Sequence, residues 1–427
     1  MPQLLKMLDI HFVRENPEIV KDDLKKRHDE RIKWVDELLG CDKKAREIKQ
    51  KLDGLRHRKN VLSLEVVKLK KSGENIAGVL EDAKKLPKQI EDLESEEIRL
   101  QEKIRSYLMR LPNISHKSVP YGKDGEDNKV VRTWGKKSKF NFELKGHAEL
   151  AENLGCADFD RAAKVAGRGF YYLKDKLVLL EFALVQFVIS FLVKKNYMPV
   201  EPPFMLRRKF YEGVTDFGAF ETMMYKIDGE DLYLIATSEH PICAMYADEV
   251  IDTQKLPLKF VGISPCFRKE IGSHGIDEKG FFRVHQFNKI EQFIFCKPED
   301  SWKLHEELIS NAEWVFKKLK LPYRVVNICT GDLGDVAAKK YDLEVWMPRE
   351  QEYKEVVSCS NCTSYQTVRS NIKYLEKGER GYMHTLNSTA VATGRVLKAI
   401  LENYQKKDGS MAVPTVLQRL VGFKKIE

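Results

Sequence analysis

The N-terminal part of the chain repeats apolar or small residues at alternating steps of four and three positions. The repeat runs from Trp34 to Leu69, and Lys59 occupies the one missed position. A seven-residue period of this kind is typical of a helix that packs against a partner helix along one seam. The seam residues are Trp34, Leu38, Cys41, Ala45, Ile48, Leu52, Leu55, Leu62, Val66 and Leu69.

A second periodic run follows after a short polar segment. Residues 70–75 have the composition of a turn, and apolar residues then recur from Ile90 to Leu111, where Pro112 stops the pattern. Two long helices joined by one tight turn must fold back on each other. We therefore predict a domain over residues 1–112 that carries a long antiparallel α-helical coiled-coil arm.

Further along the chain, the heptad pattern gives way to one long helix and a series of short strands. Residues 113–139 are polar and contain glycine, and we assign them to a linker. A helix is predicted over 176–195, and strands are predicted over 232–236, 259–263, 284–295 and 323–328. Hairpin-like loops, and no regular crossover helices, separate these strands. We predict a second domain over 140–427, an antiparallel β-sheet flanked by helices, and an α+β fold class.

Composition and charge limit the location and the partners of the protein. The 427 residues include 73 basic and 64 acidic ones, and the formal charge of +9 mildly favours a polyanionic partner. Residues 1–10 lack the features of a signal peptide. The apolar stretch 177–193 contains Glu181 and Gln186, which favours a buried helix over a membrane span. We expect a cytoplasmic protein without a membrane partner.

The eight cysteines are scattered along the chain, which favours a reducing compartment over a disulfide framework. Only Cys359 and Cys362 stand close together. Zinc is one interpretation of that pair, but a structural zinc site normally needs four ligands, and no second pair or histidine cluster completes one. We therefore disfavour a zinc site.

Candidate chemistry concentrates in a predicted hairpin around residue 280. Neither a Gly-x-x-x-x-Gly-Lys-Ser/Thr loop nor a Gly-x-Gly-x-x-Gly turn opening a helix is present, so bound phosphates would be met by side chains such as arginine. Phe-Arg-Lys-Glu at 267–270 is followed by a loop over 271–280 and a second strand. Alternation along that strand predicts one face with Arg283, His285, Phe287, Lys289 and Glu291. A solvent-exposed edge hairpin is the alternative, which the aromatic ring among charges fits poorly.

These motifs resemble those of the seryl-tRNA synthetases, which are class II aminoacyl-tRNA synthetases. Phe-Arg-x-Glu, the glycine-bounded loop and Arg-Val-His-Gln-Phe-x-Lys-x-Glu are similar to the family's motif 2. Pro203 looks like the motif 1 proline, 237–239 like the Thr-x-Glu loop, and 382–395 like motif 3. The resemblance covers nearly the whole chain, including the arm. Asn-Ser-Thr at 387–389 leans towards the archaeal and eukaryotic cytosolic branch.

The resemblance implies a serine–tRNA ligase. Such an enzyme activates L-serine with ATP to seryl-adenylate, releases pyrophosphate, and transfers serine to the 3′-terminal adenosine of serine tRNA. The implied catalytic residues are Arg268 and Arg395, and the implied Mg²⁺ ligands are Glu355 and Ser358. The implied ATP ligands are Arg268, Glu270, Arg283, Val284, Phe287, Glu355, Ser358 and Arg395. The implied serine ligands are Thr237, Glu239, Arg268, Glu291, Asn387 and Thr389.

The resemblance also implies macromolecular partners. Motif 1 builds the dimer interface in this family, so we expect a homodimer. Serine tRNA would be bound through its long variable arm and its acceptor end. We expect phosphate contacts from Arg56, Arg58, Lys68 and Lys71, for which a solvated coiled-coil face is the alternative. Whether selenocysteine tRNA is also charged stays open.

Three positions depart from the family's pattern. Val368 replaces one arginine of a usual pair, and Ile276 and Glu278 replace residues of the usual motif 2 loop. These changes put acceptor-stem contacts and local packing in doubt. A non-catalytic tRNA-binding paralogue is the main alternative function, and the presence of Arg268, Glu355 and Arg395 argues against it. An enzyme that loads carrier proteins would be expected to lack the arm.

Overall fold

The computed structural model describes residues 9–73, 75–270 and 279–427. The described chain forms two compact units, residues 9–111 and Pro112–Glu427. Most of the predicted motif 2 loop, including Ile276 and Glu278, lies outside the described residues.

The first unit is a helical hairpin. Its helices are α1 (Ile10–Glu15), α2 (Pro17–Lys26), α3 (Ile32–Ser72) and α4 (Ala77–Arg110). Helix α3 ends where Gly73 adopts a left-handed conformation with φ of 74°, which glycine tolerates without steric cost. At 1.5 Å per residue the 41 residues of α3 span about 60 Å.

Contacts between α3 and α4 run in opposite chain directions. Trp34 lies beside Tyr107, with ring centroids 5.8 Å apart, whereas Leu52 clusters with Ile90. The seam is fully buried at Leu38, Ala45, Ile48 and Leu52, and only half-buried at Leu62, Val66 and Leu69. The predicted antiparallel coiled-coil arm is confirmed.

The second unit is built around an eight-stranded sheet. Its helices are α5 (His147–Asn153), α6 (Phe159–Ala166), α7 (Asp175–Val193), α8 (Arg208–Val214), α9 (Phe217–Phe220), α10 (Glu239–Ala244), α11 (Ser301–Lys318), α12 (Tyr365–Arg369), α13 (Thr393–Tyr404) and α14 (Thr415–Val421). Its strands are β1 (Lys129–Trp134), β2 (Ala157–Asp158), β3 (Tyr172–Leu173), β4 (Met198–Val200), β5 (Met205–Leu206), β6 (Tyr233–Leu234), β7 (Val250–Asp252), β8 (Leu258–Phe267), β9 (Gln286–Cys296), β10 (Tyr323–Asn327), β11 (Lys339–Met347), β12 (Glu352–Thr363), β13 (Lys373–Glu376), β14 (Glu379–Tyr382), β15 (His384–Ala392), β16 (Met411–Ala412) and β17 (Lys425–Ile426).

The strand order in the large sheet is β1-β10-β11-β12-β15-β9-β8-β4. All neighbouring pairs are antiparallel except β4 and β8, which are parallel. The predicted α+β class with an antiparallel sheet is confirmed. Strand β1 lies inside the segment that we assigned to a linker, and it pairs with β10. That segment therefore contains an edge strand of the sheet as well as loop.

Helix α7 carries the longest apolar stretch and is long and apolar enough to cross a membrane by length and composition alone. One side is buried through Leu177, Leu180, Leu184, Val188 and Leu192, at helical spacing. The charged residue on this side is bonded to the sheet region, since Glu181 Oε1 accepts hydrogen bonds from Asn288 Nδ2 (3.0 Å) and Thr393 Oγ1 (2.6 Å). These bonds pack α7 onto the sheet.

Candidate active site

A cavity of about 600 Å³ lies over the central strands β9, β12 and β15. Alternation along β9 directs Phe287, Lys289 and Glu291 into it, because side chains two residues apart share a face. The cavity is also lined by Thr237, Glu239, Arg268, Glu270, Val284, Glu355, Ser358, Asn387, Thr389 and Arg395. The fold thus brings together all the residues expected to bind serine and ATP except Arg283.

Arg283 is exposed and does not line the cavity, whereas its neighbour Val284 is buried and does. The physical reason is the start of β9 at Gln286, two residues later than predicted. Residues 281–285 precede the strand, so strand alternation does not hold there. The predicted placement of Arg283 and His285 on the same face as Phe287 was wrong.

Arg268 follows directly after β8 and lines the cavity. Its Nη2 donates to the carbonyl oxygen of Ala236 at 3.4 Å, and its Cζ lies 5.3 Å from the centroid of the Phe287 ring. Its Nε is buried without a hydrogen-bond partner among the described residues. A half-buried guanidinium with an unused Nε donor is well suited to bind an anion.

The part of the cavity around Glu239 is rich in hydrogen-bonding groups. Glu239 Oε1 accepts from Gln366 Nε2 at 2.7 Å and from Asn387 Nδ2 at 3.0 Å. Glu291 forms an ion pair with Lys289 at 2.7 Å, and it lies opposite Thr389 in the β9–β15 register. Carboxylates, a hydroxyl and an amide can together bind a small ligand with an ammonium and a hydroxyl group.

Burial and nearby charges change the ionisation of this region. Burial, reinforced by Glu291, raises the pKa of Glu239 to about 7. Burial, with Lys289 and Arg268, lowers the pKa of His240 to about 3, so this imidazole is neutral at physiological pH. A cationic ligand beside Glu239 would favour its ionised form.

A β-bulge places Glu355 and Ser358 on the cavity side together. Leu343 pairs with Val357 and Glu344 with Glu355, so Val356 is an extra residue in β12. The bulge shifts the alternation by one position. Arg395, at the start of α13, contacts Glu355 through Nη1, which lies 3.3 Å from the carboxylate Oε1 and 3.1 Å from the carbonyl oxygen.

The donor atoms at this bulge fit a hard divalent cation. Burial alone would raise the pKa of Glu355. The positive charges of Arg395, Lys340 and Arg268 have the larger effect, so the pKa lies below its ordinary value. Glu355 therefore offers an ionised carboxylate beside the Ser358 hydroxyl. Mg²⁺ prefers such oxygen ligands and usually keeps water or phosphate oxygens in its remaining positions. No cluster of three or more His, Cys, Asp or Glu suited to a metal occurs among the described residues.

Comparison with known proteins decides the family. The family model for the tRNA synthetase class II core domain (G, H, P, S and T) matches residues 221–404, and that for the seryl-tRNA synthetase N-terminal domain matches residues 7–115. A serine–tRNA ligase of Methanocella arvoryzae is 58% identical over 416 residues, which cover 96% of this chain and 98% of the relative. The chain belongs to the seryl-tRNA synthetase family.

Solved structures of this family match along their whole length. Seryl-tRNA synthetase from Pyrococcus horikoshii, complexed with ATP, superposes with a TM-score of 0.94 at 49% identity and covers 98% of this chain and 99% of that one. Cytoplasmic serine–tRNA ligase from Naegleria fowleri, in complex with AMP, gives 0.88 at 37% identity, with 99% of each chain covered. The expected archaeal and eukaryotic branch is confirmed.

Membership of this seryl-tRNA synthetase family confirms the predicted activity. The protein is an aminoacyl-tRNA synthetase of class II that activates serine and charges tRNA with it, and ATP is its nucleotide substrate. The non-catalytic alternative is set aside, since relatives over nearly the full chain are ligases.

Three residues in or beside the site of this synthetase were not assigned a role from the sequence: Lys289 and Lys340 line the cavity, and Gln366 contacts the cavity residue Glu239. Lys289 was on the predicted strand face, and its partner Glu291 could have indicated it. Lys340 lines the cavity near Glu355. Gln366 is fully buried and donates a hydrogen bond to Glu239. It lies close to Val368, the position that differs from the family's pattern and that we expected to affect only acceptor-stem contacts and local packing. Only the folded chain brings Gln366 to Glu239.

Proposed function

We propose that the cavity binds serine and ATP side by side, with Arg268 between them. One observation supports this arrangement: Arg268 shares the cavity with two groups of residues. The first group is Glu239, Glu291 and Thr389, and the second is Glu355 and Arg395. The first group suits a small amino acid. The second suits a nucleotide triphosphate and its metal ion.

Serine recognition is assigned to five residues besides Arg268. Thr237 and Glu239 receive the ammonium, Glu291 and Thr389 bind the hydroxyl, and Asn387 shapes the pocket by holding Glu239. A site built to hydrogen-bond a hydroxyl rejects alanine and glycine, because its buried polar groups are then left unpaired. Arg268 binds the serine carboxylate.

ATP binding is assigned to the opposite part of the cavity. The adenine stacks on the Phe287 ring, Glu270 and Val284 complete its surroundings, and Arg395 binds the γ-phosphate. Glu355 and Ser358 hold Mg²⁺, which neutralises phosphate charge when bound. Arg283 is exposed and does not line the cavity. It would contact ATP only if its side chain turned towards the bound nucleotide.

The reaction then needs positioning more than proton transfer. A serine carboxylate oxygen attacks the α-phosphorus, a new O–P bond forms, and the bond from that phosphorus to the bridging oxygen of pyrophosphate breaks. Arg268 contacts both reacting groups and stabilises the charge that develops. In the second step the 3′-hydroxyl oxygen of the terminal adenosine attacks the serine carbonyl carbon and forms the ester bond. The bond from that carbon to the phosphate oxygen breaks, AMP leaves, and the hydroxyl proton passes to solvent.

The macromolecular partners follow from exposed surfaces. Arg56, Arg58, Lys68 and Lys71 are exposed on α3 and would contact phosphates of the long variable arm of serine tRNA. Helix α7 leaves Leu179 and Phe182 exposed by 51% and 67%, an apolar face that a homodimer would cover. We place this translation enzyme in the cytoplasm.

Serine-dependent exchange of pyrophosphate into ATP tests the proposal. Purified protein is assayed with serine, alanine, threonine and glycine, and the assay is repeated with Arg268→Ala. Exchange is expected with serine alone and is expected to fall by at least about a hundredfold in the variant, as for a lost charge-stabilising donor. Exchange that survives in folded Arg268→Ala would refute the central role of Arg268.

A further inference from the structure

Helix α13 carries three charged residues on one face. Arg395, Lys398 and Glu402 are spaced by three and four residues, so their side chains lie above one another. Arg395 lines the cavity, whereas the side chains of Lys398 and Glu402 are completely buried behind it. Burying two charged side chains in a helix is costly unless they are paired, so their partners define what they do.

The partners form a buried cluster around the ammonium of Lys398. Lys398 Nζ lies 2.8 Å from Glu350 Oε1 and 4.0 Å from Glu402 Oε1. Burial, reinforced by Glu350, raises the pKa of Glu402 to about 8, so Glu402 is mostly protonated at neutral pH. One ammonium then faces one carboxylate, Glu350, and a neutral carboxylic acid.

The cluster continues to the cavity wall through His147. His147 Nδ1 lies 3.4 Å from Glu402 Oε1, and His147 Nε2 accepts a hydrogen bond of 3.1 Å from the backbone N–H of Phe281. Because Nε2 is an acceptor, the proton of the neutral ring is on Nδ1 and faces Glu402. Phe281 and its neighbour Phe282 both line the cavity.

The ring of Phe282 links the cluster to Arg395. Lys398 Nζ lies 4.8 Å from the ring centroid, and Arg395 Cζ lies 5.0 Å from it. Both distances are within the range of cation–π attraction. The aromatic ring thus lies within cation–π range of both a buried ammonium and the guanidinium assigned to the γ-phosphate.

Two glycines allow these elements to approach each other. A Cβ on Gly280, whose φ is 149°, would lie 2.0 Å from His147 Nε2. A Cβ on Gly394 would lie 2.6 Å from the carbonyl oxygen of Phe281. The close fit leaves no room for residues 280–282 to move towards α5 or α13.

We propose that Lys398, Glu402 and His147 are positioning residues for ATP: they hold Phe281 and Phe282 in the cavity wall and, through Phe282, orient Arg395. The inference rests on the proposed assignment of Arg395 to ATP. No contact with serine is involved, so disruption of the cluster weakens ATP binding and leaves serine binding unchanged.

Exchange kinetics with Lys398→Met test the proposal. The substitution removes the ammonium and keeps an unbranched side chain of similar length. The KM for ATP is expected to rise about tenfold, the size of a lost cation–π and positioning contact. The KM for serine is expected to stay within about twofold, since uniform loss of activity would signal general damage.

Lys259→Met is the matched control. Lys259 also pairs with a carboxylate, Glu307, at 2.8 Å and lies 5.5 Å from an aromatic centroid, that of Tyr197, but it does not line the cavity. Its loss is expected to leave both KM values unchanged. Equal KM values for ATP in the two variants would overturn the proposal.

Further variants separate the possible failures. If Arg395→Ala leaves the KM for ATP unchanged, the proposed ATP site is wrong. If Arg395→Ala raises it and Lys398→Met does not, only the positioning role is wrong. If Lys398→Met fails to fold, His147→Leu is tested in its place, because it removes the hydrogen-bond acceptor for the Phe281 N–H. This variant must show the same selective rise in the KM for ATP. An unchanged KM for ATP, or an equal rise in the KM for serine, rejects the inference.

Discussion

Hydrogen bonds orient the carboxylate of Glu239, and its buried surroundings raise its pKa. Two amide groups, from Gln366 and Asn387, donate to the same oxygen. Gln366 is itself fixed, because its Oε1 accepts from Thr385 Oγ1 at 2.6 Å and its Nε2 also donates to the Val214 carbonyl at 3.0 Å. Burial and Glu291 raise the pKa of Glu239 to about 7, and the ammonium group that we propose to bind there would favour its ionised form.

The affinity for serine should therefore depend on pH. Below the pKa of about 7, free Glu239 is mostly protonated and cannot attract the ammonium, so kcat/KM for serine is expected to fall by up to about tenfold per pH unit. Steady-state exchange between pH 6 and 8, at saturating ATP, measures the profile. Glu239→Gln should bind serine weakly at every pH and lose the dependence; a flat profile in the wild type would contradict the assignment.

Thr389 is expected to contribute to the discrimination between serine and alanine. Thr389→Val keeps the shape and removes the hydroxyl, so the ratio of kcat/KM for serine to that for alanine should fall about tenfold, the worth of one buried hydrogen bond. The KM for ATP serves as the internal control. An unchanged ratio would remove Thr389 from the serine site.

The residues that the sequence placed well are those in short motifs at strand ends, such as Arg268 after β8 and Arg395 at the start of α13. Local spacing determines such positions. Gln366 and the buried Lys398 were missed because they contact residues that are distant in the chain, Glu239 and Glu350. Arg283 was misplaced because the sequence does not show where β9 begins.

Among the secondary-structure elements, strand β12 contains a β-bulge that the amino-acid composition does not reveal. Glu355 and Ser358 are three residues apart, and a regular strand would direct them to opposite faces. The extra residue Val356 brings both to the cavity. The resemblance to the family could indicate both residues, but only the register of β11 and β12 explains their common direction.

Helix α3 offers two kinds of basic residue to a phosphate backbone. Arg56 and Arg58 are paired with Glu94 and Asp82 on α4 at 2.7 and 2.9 Å. Lys68 and Lys71 are exposed and form no ion pair within the described part of the chain. Unlike the two arginines, these lysines would not have to leave an ion pair with the described residues before binding phosphate.

Replacing both lysines with alanine should weaken tRNA binding. The salt dependence, as the slope of log K against log salt, is expected to fall by about two, one for each lost phosphate contact. Filter binding at several salt concentrations measures the slope, and pyrophosphate exchange should be unchanged. Lys103→Ala, an exposed lysine on α4, is the control; an unaltered slope in the double variant would favour a solvated face.

For the second unit as a whole, the apolar face of α7 predicts how copies of the chain associate. Phe182→Glu places a charge on that face and should convert a dimer into a monomer in size-exclusion chromatography with light scattering. Lys194→Glu, an exposed change at the end of α7, should leave the dimer intact. A wild-type monomer at micromolar concentration would contradict the dimer.

The architecture of the molecule was largely predictable, because heptads and strand alternation are long and repeated signals. The antiparallel arm and the α+β class followed from them. The edge strand β1 was missed because its pairing with β10 is non-local, and its exposed valines, Val130 and Val131, do not alternate with buried positions.

The most direct test of the whole account is a crystal structure with serine, a non-hydrolysable ATP analogue and Mg²⁺. The account predicts the serine hydroxyl at Glu291 and Thr389, its carboxylate and the α-phosphate both at Arg268, and adenine on Phe287. It also predicts the metal ion at Glu355 and Ser358. Serine bound away from Glu239 and Glu291, or a triphosphate that does not contact Arg268 and Arg395, would contradict it.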